Sequence, residues 1–167
     1  MLIRQTTAAV LVVLASHGCA FFGRYIYHAE TRVEPPVSGE LLSEADLERA
    51  ESVAAFVAEK CRLRTVEEEH GTIEGDDMVS AMKTPPRELL TRYTRKVHSP
   101  GRLAISLRLE VSEDRRTLYF TAVDPERGEP SNFLNCIREG VKAMVEREFQ
   151  GMSIVHEVKV IGPVYTD

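Results

Sequence analysis

The sequence predicts an α+β domain with two layers, two main helices packed on one face of a small, mainly antiparallel sheet. Three stretches carry this. Residues 43–62 hold a capped segment with apolar residues at steps of three and four. Residues 103–123 hold two runs of alternating apolar and polar residues around a polar turn. Residues 131–150 hold a second helical stripe that stops at a glycine. The expected core order is helix, strand, strand, helix, strand.

The chain opens on Arg4, the only charge before the apolar run Ala8 to Ala15, with Ser16, Gly18 and Cys19 after it. A basic start, an apolar run of roughly 7–15 residues and a small-residue boundary describe a secretory signal peptide. A membrane span needs about 20 apolar residues, more than this run provides. Residues 1–18 are therefore expected to be the signal. The Gly18-Cys19 junction resembles a bacterial lipoprotein signal. That resemblance implies that Cys19 becomes the first mature residue and carries acyl chains. Because Ala20 and not Asp follows, it also implies the outer membrane, facing the periplasm. The alternatives are a soluble periplasmic or secreted product, or an uncleaved anchor. In the former, Cys19 is a thiol in a discarded peptide.

The chain has 167 residues, 43% of them hydrophobic, and a formal net charge of -5. Loss of Arg4 with the signal leaves 20 basic against 26 acidic residues, or -6. One domain with a real core fits this length. An acidic chain is a poor match for nucleic acid, whose phosphates require a basic surface.

Residues 19–42 read as a tether. Phe21, Phe22, Tyr25 and Tyr27 are followed by Glu34-Pro35-Pro36 and Ser38-Gly39. Prolines extend a chain and Gly/Ser loosens it. The aromatics suit a membrane interface or packing on the domain.

The domain is expected to span 43–167. Ser43-Glu44-Ala45-Asp46 has capping-box form, and Leu42 and Leu47 stand where a hydrophobic staple would. Leu47, Ala50, Ala54, Val57 and Cys61 make one apolar stripe. The helix should end near Lys60 or Arg62.

Residues 62–99 read as an insertion. Arg62 to Glu68 is a candidate short strand. An acidic loop follows, with Glu67, Glu69, His70, Asp76 and Asp77. Pro85-Pro86 then opens a basic helix through Lys96, with Leu89, Leu90 and Tyr93 on one side, since proline is tolerated at a helix start. Its Arg87, Arg92, Arg95 and Lys96 suit anionic headgroups or cell-wall polymer, or an ordinary solvated face.

Leu103 to Val111 alternates strictly, Ser112 to Arg115 is a polar turn, and Leu118 to Val123 alternates again. Period two means a strand with one face buried, and the pair reads as an antiparallel hairpin. A loop from Asp124-Pro125 to Pro130 precedes the second helix, 131–150. Its stripe is Phe133, Leu134, Ile137, Val141, Met144 and Val145, and Gly151 fits the left-handed position that ends a helix. Met152 to Ile161 is a final strand, closed by Gly162-Pro163.

Cys61 ends the first helix and Cys136 lies in the first turns of the second. In an oxidising compartment they are expected to pair. The alternative is two buried free thiols. Helix, cysteine, hairpin, helix with a cysteine, strand is an order that resembles the C-terminal domain of TonB. It is most similar to the AgmX/PglI-type branch. The matching residues are Cys61, the run from Gly101 to Leu107, and Leu134 to Arg138, and the likeness covers Ser43 to Ile161.

The resemblance implies a non-catalytic binding module that uses its last strand as an edge for another envelope protein. Val155, Glu157 and Lys159 would lie along that edge. Alternatively, Glu157 and Lys159 are charges that guard an edge against wrong pairing. The family's energy transduction needs an inner-membrane span and is not expected here. The other functional class is a metal-binding or hydrolytic protein using the acidic loop around His70. No His-Glu-x-x-His, Cys-x-x-Cys, EF-hand, phosphate loop or nucleophile elbow supports it. No catalytic, cofactor or metal site is expected.

Overall fold

The computed structural model describes residues 24–65, 86–96, 104–124 and 131–164. Its elements in chain order are β1 (Arg24–Glu34), α1 (Glu44–Lys60), β2 (Arg64–Thr65), β3 (Arg87–Lys96), β4 (Ala104–Ser112), β5 (Leu118–Asp124), α2 (Asn132–Glu148) and β6 (Ser153–Val164). The strands form one sheet in the order β2-β3-β4-β5-β1-β6, with neighbours antiparallel. Both helices lie on one face of it. The α+β class is as expected.

Helix α1 starts where its cap chemistry dictates. The Ser43 hydroxyl accepts from the Asp46 backbone N–H, and the Asp46 carboxylate accepts from the Ser43 N–H at 2.9 Å. Leu42 and Leu47 are both buried beside this cap. Helix α2 is capped by the serine half of that arrangement alone, with Leu134 N–H donating to Ser131 Oγ. It ends at Phe149, and Gly151 then adopts φ +86°, a conformation in which a Cβ would be strained.

The two helices are close. A Cβ added at Gly140 would stand 3.3 Å from a Val57 methyl. Cys61 and Cys136 are joined by a disulfide, with Cα atoms 5.9 Å apart. The bond ties the end of α1 to the start of α2.

The core lies between helices and sheet. Ile105, Leu107, Leu109 and Val111 of β4 meet Leu118, Phe120 and Ala122 of β5 and Ala29 and Val33 of β1 beneath α1 and α2. The hairpin expected from the alternation is β4–β5, with Leu107 opposite Ala122 and Leu109 opposite Phe120.

Several expectations are corrected. The tether assigned to 19–42 is a strand over 24–34, inserted between β5 and β6. Tyr27, Ala29, Thr31 and Val33 face the helices; His28, Glu30 and Arg32 face the other side. This second set meets charges on neighbouring strands. The basic helix assigned after Pro85-Pro86 is β3, paired to β4 on one side and β2 on the other. A bulge between Leu89 and Thr91 breaks the period of two, so Leu90 and Tyr93, three apart, both pack on the core. That spacing imitates a helical stripe. Part of the expected insertion, 62–99, is thus integral to the sheet.

β6 also runs on past Gly162-Pro163 to Val164. Its register with β1 shifts there, between Arg24 and Ile26. Proline is compatible with a strand at a sheet edge or bulge, where its missing N–H breaks no ladder bond.

Finally, β4 and β5 are not solvated on one face. Ser106, Arg108, Glu110, Tyr119, Thr121 and Val123 are buried on the face away from the helices. Arg87 at the start of β3 reaches across that face over the Tyr119 ring, 3.5 Å from its centroid, to donate to Glu30 at 2.8 Å. It also stands 3.7 Å from Glu110, which lies 3.3 Å from Arg108 and accepts from the Thr121 hydroxyl at 3.4 Å. Two carboxylates and their arginines thus link four adjacent strands.

Candidate functional site

The ends of the sheet differ. β2 contributes two residues, whereas β6 contributes twelve and, among the described residues, pairs only with β1. An outermost strand directs half of its backbone N–H and C=O groups away from the sheet. Among the described strands β6 is therefore the long outermost one, and Val155, Glu157 and Lys159 all lie in it.

The side chains of β6 alternate between the two faces. Ile154, His156, Val158 and Val160 share the helix side with Val33, Thr31, Ala29 and Tyr27, their opposites on β1. Val155, Glu157 and Lys159 lie on the other side, opposite Arg32, Glu30 and His28. Val155, Val158 and Val160 are 45%, 50% and 55% exposed, three β-branched apolar side chains along one edge.

Glu157 directly opposes Glu30, a like-charge pair that is destabilising by itself. Cations relieve it. Arg32 lies 3.8 Å from Glu157 and 3.9 Å from Glu30, and Lys159 lies 3.1 Å from Glu157. The edge charges thus continue the ionic face of the sheet to its rim.

On the helix side, α2 packs on β5 and β1 and touches β6, where His156 stands beside Glu146. A cavity of about 300 Å³ opens between α2 and β1/β6. Its floor includes Ala29, Ala122, Val141 and Val158, with Arg138 and Lys142 of α2 along its rim. Two alanines on adjacent strands create the space, because a methyl group fills little of it. His156 stands at the cavity and shares a hydrogen bond with Thr31 Oγ1 at 2.8 Å, with its other ring nitrogen 3.6 Å from Glu146.

The other expected residues are placed as follows. Cys61 and Cys136 form the disulfide. Cys19 and the signal lie outside the described residues, as do Glu67, Glu69, His70, Asp76 and Asp77 of the acidic loop. Among the described residues, no three His, Cys, Asp or Glu side chains converge as metal ligands, and no helix is long and apolar enough to cross a membrane. Arg87 and Arg95 do not form a solvated basic face: the first is engaged by Glu30, and the second stacks 3.8 Å over the Phe133 ring.

Sequence reasoning missed Val158 and Val160 as edge residues, and Glu30 and Arg32 as their support. The alternation of 152–161 held the first signal, since valines fall on both faces of that strand. No known protein-family model, curated protein or solved structure matches the chain.

Proposed function

We propose that this domain is a non-catalytic interaction module of the cell envelope that binds an extended segment of another protein along β6. The observation that carries this is a twelve-residue edge strand bearing three half-exposed valines. Backbone groups of the edge supply affinity, and alternate side chains supply selectivity. Glu157 and Lys159, as edge charges, limit unspecific pairing and fix register.

The address belongs to the same proposal. Residues 1–18 direct export, and acyl chains on Cys19 hold the domain on the outer membrane facing the periplasm. Multiple chains bind a bilayer stably, at about 0.8 kcal/mol per buried methylene. The Cys61–Cys136 disulfide supports an oxidising compartment. The likeness to the TonB C-terminal domain is likewise part of the proposal. It is supported by the order α1, β4, β5, α2, β6 and by the paired cysteines. β1, lying between β5 and β6, is an addition to the core order expected from that likeness.

The test is site-specific photo-crosslinking in cells, from probes at Val155 and Val160, with exposed Phe56 on α1 as control. Discrete products from the edge and none from Phe56 are expected. Identical patterns from all three positions would remove the edge from the account. Metabolic labelling with a fatty-acid probe tests the anchor: label on the wild type and none on Cys19→Ala is expected, and an unlabelled wild type removes the membrane.

A further inference from the structure

We propose that β6 pairs with β6 of a second copy of this chain, antiparallel about a two-fold axis at Val158, so that two sheets join into one. This rests on the reading of β6 as the interaction edge and places a second copy of the chain, in place of a different envelope protein, on that edge.

The argument is one of register. A two-fold axis normal to the sheet places residues equidistant from it opposite each other, and like faces coincide only when the axis passes through a residue position. An axis at Glu157 sets that carboxylate against its own copy, and an axis at Lys159 does the same with two ammonium groups. Directly opposed like charges disfavour both. Centred at His156 or Val160, neither charge meets its opposite. Centred at Val158, each Glu157 faces the partner's Lys159.

Glu157 and Lys159 already lie 3.1 Å apart within one chain, on the face away from the helices. The Val158 register therefore closes a ring of four alternating charges. On the helix side, Val158 meets the partner's Val158, and Val160 meets the partner's His156. The two most exposed valines of the edge are covered in one step. The paired stretch runs from Ser153 to Pro163, so the proline falls at its end, where a missing N–H costs least. Symmetric burial of the same patch on both copies is the commonest mode of protein self-association.

The experiment is sedimentation of the purified full chain in mild detergent, which keeps the apolar N-terminal run from associating by itself. The wild type is expected to be a dimer. E157K makes both edge charges positive and K159E makes both negative, so each variant alone opposes like charges twice and should weaken the dimer by about tenfold or more. Mixed in equal amounts, the two variants should recover a dimer, because cations then face anions at every position. V158C in a Cys19→Ala background should give a covalent dimer on mild oxidation, and F56C in that background should not.

Wild-type dimers indifferent to E157K and K159E, or a mixture that stays monomeric, would overturn the register. A monomeric wild type would overturn self-pairing altogether. In that case the crosslinks from Val155 and Val160 in cells, at a mass other than twice that of the chain, would still uphold the edge. Loss of those crosslinks as well would remove both readings.

Discussion

On the helix side of the sheet Leu107, Leu109 and Phe120 are buried among aliphatic side chains from α1 and α2. On the other side Arg108, Glu110 and Thr121 stand between them on the same two strands and are buried to a similar degree. The first face is held by removal of apolar area from water, at about 25 cal/mol per Å². The second must recover the cost of taking charges out of water through close pairing, and buried ion pairs often do little better than break even. Equal burial therefore does not mean equal stabilisation. The apolar face supplies net stability, whereas the ionic face holds four strands in fixed relation and tolerates no missing member.

The largest effects expected test whether the faces are equally sensitive to a single loss. Glu110→Ala leaves Arg108 and Arg87 without a carboxylate they share and should cost about 3–5 kcal/mol. Phe120→Ala should cost a similar 3–5 kcal/mol through the cavity it leaves. Urea denaturation of both variants measures this. A Glu110→Ala loss below about 1 kcal/mol would mean that the second face is solvated and not ionic in the sense described.

Next in size is the staple on the helix side. Cys61→Ser with Cys136→Ser opens a link between positions 75 apart. In the chain-entropy model it should cost about 4 kcal/mol. For a chain of this length that corresponds to a fall in Tm of roughly 8–16 °C, read by circular dichroism. Reduction of the wild type should reproduce the shift.

A smaller effect separates the two kinds of burial directly. Arg87→Met combined with Glu30→Met replaces a buried pair by apolar groups and should fall near neutral or be stabilising, whereas Glu30→Ala alone should be strongly destabilising. A large loss in the double variant would show that the pair adds net stability, and would bring the two faces closer together in kind.

The smallest effect belongs to the β4–β5 turn, outside both faces. The Ser112 hydroxyl, which donates to Asp114 at 2.5 Å, holds that carboxyl below its ordinary value of 3.8, with the Arg116 N–H and guanidinium adding to it. A carboxyl lowered in the folded state contributes stability above its unfolded value and loses it as pH falls through the folded one. Asp114→Asn should therefore remove a small stabilisation at neutral pH and flatten the fall in stability below about pH 4, where variant and wild type converge. A difference from wild type that is largest in acid and vanishes as pH rises would contradict the sign.

The helices were legible because their signals are local. The Ser43 cap, the Ser131 start and the Gly151 stop each involve a few consecutive residues. The hairpin was legible because strict alternation over nine residues has few readings. β1 and β3 were not. In β1, a stretch that reads as a tether, nothing nearby announces that Glu30 will meet Arg87, which lies 57 positions away. In β3, one bulge converted a period of two into an apparent spacing of three. For the candidate site, Val155, Glu157 and Lys159 were named from a family likeness. That β6 lies at the sheet's edge depends on where β1 inserts.

By itself, the sequence determined the two helices and their caps, the β4–β5 hairpin and the α+β class. Each rests on a periodicity or a hydrogen bond closed within one short stretch. Only the tertiary structure decided that β1 enters between β5 and β6, that Glu30 and Glu110 are buried among arginines, and that β6 is outermost among the described strands. Those outcomes come from contacts between residues as distant as Thr31 and His156, 125 positions apart. No local pattern encodes which distant strand will supply the partner.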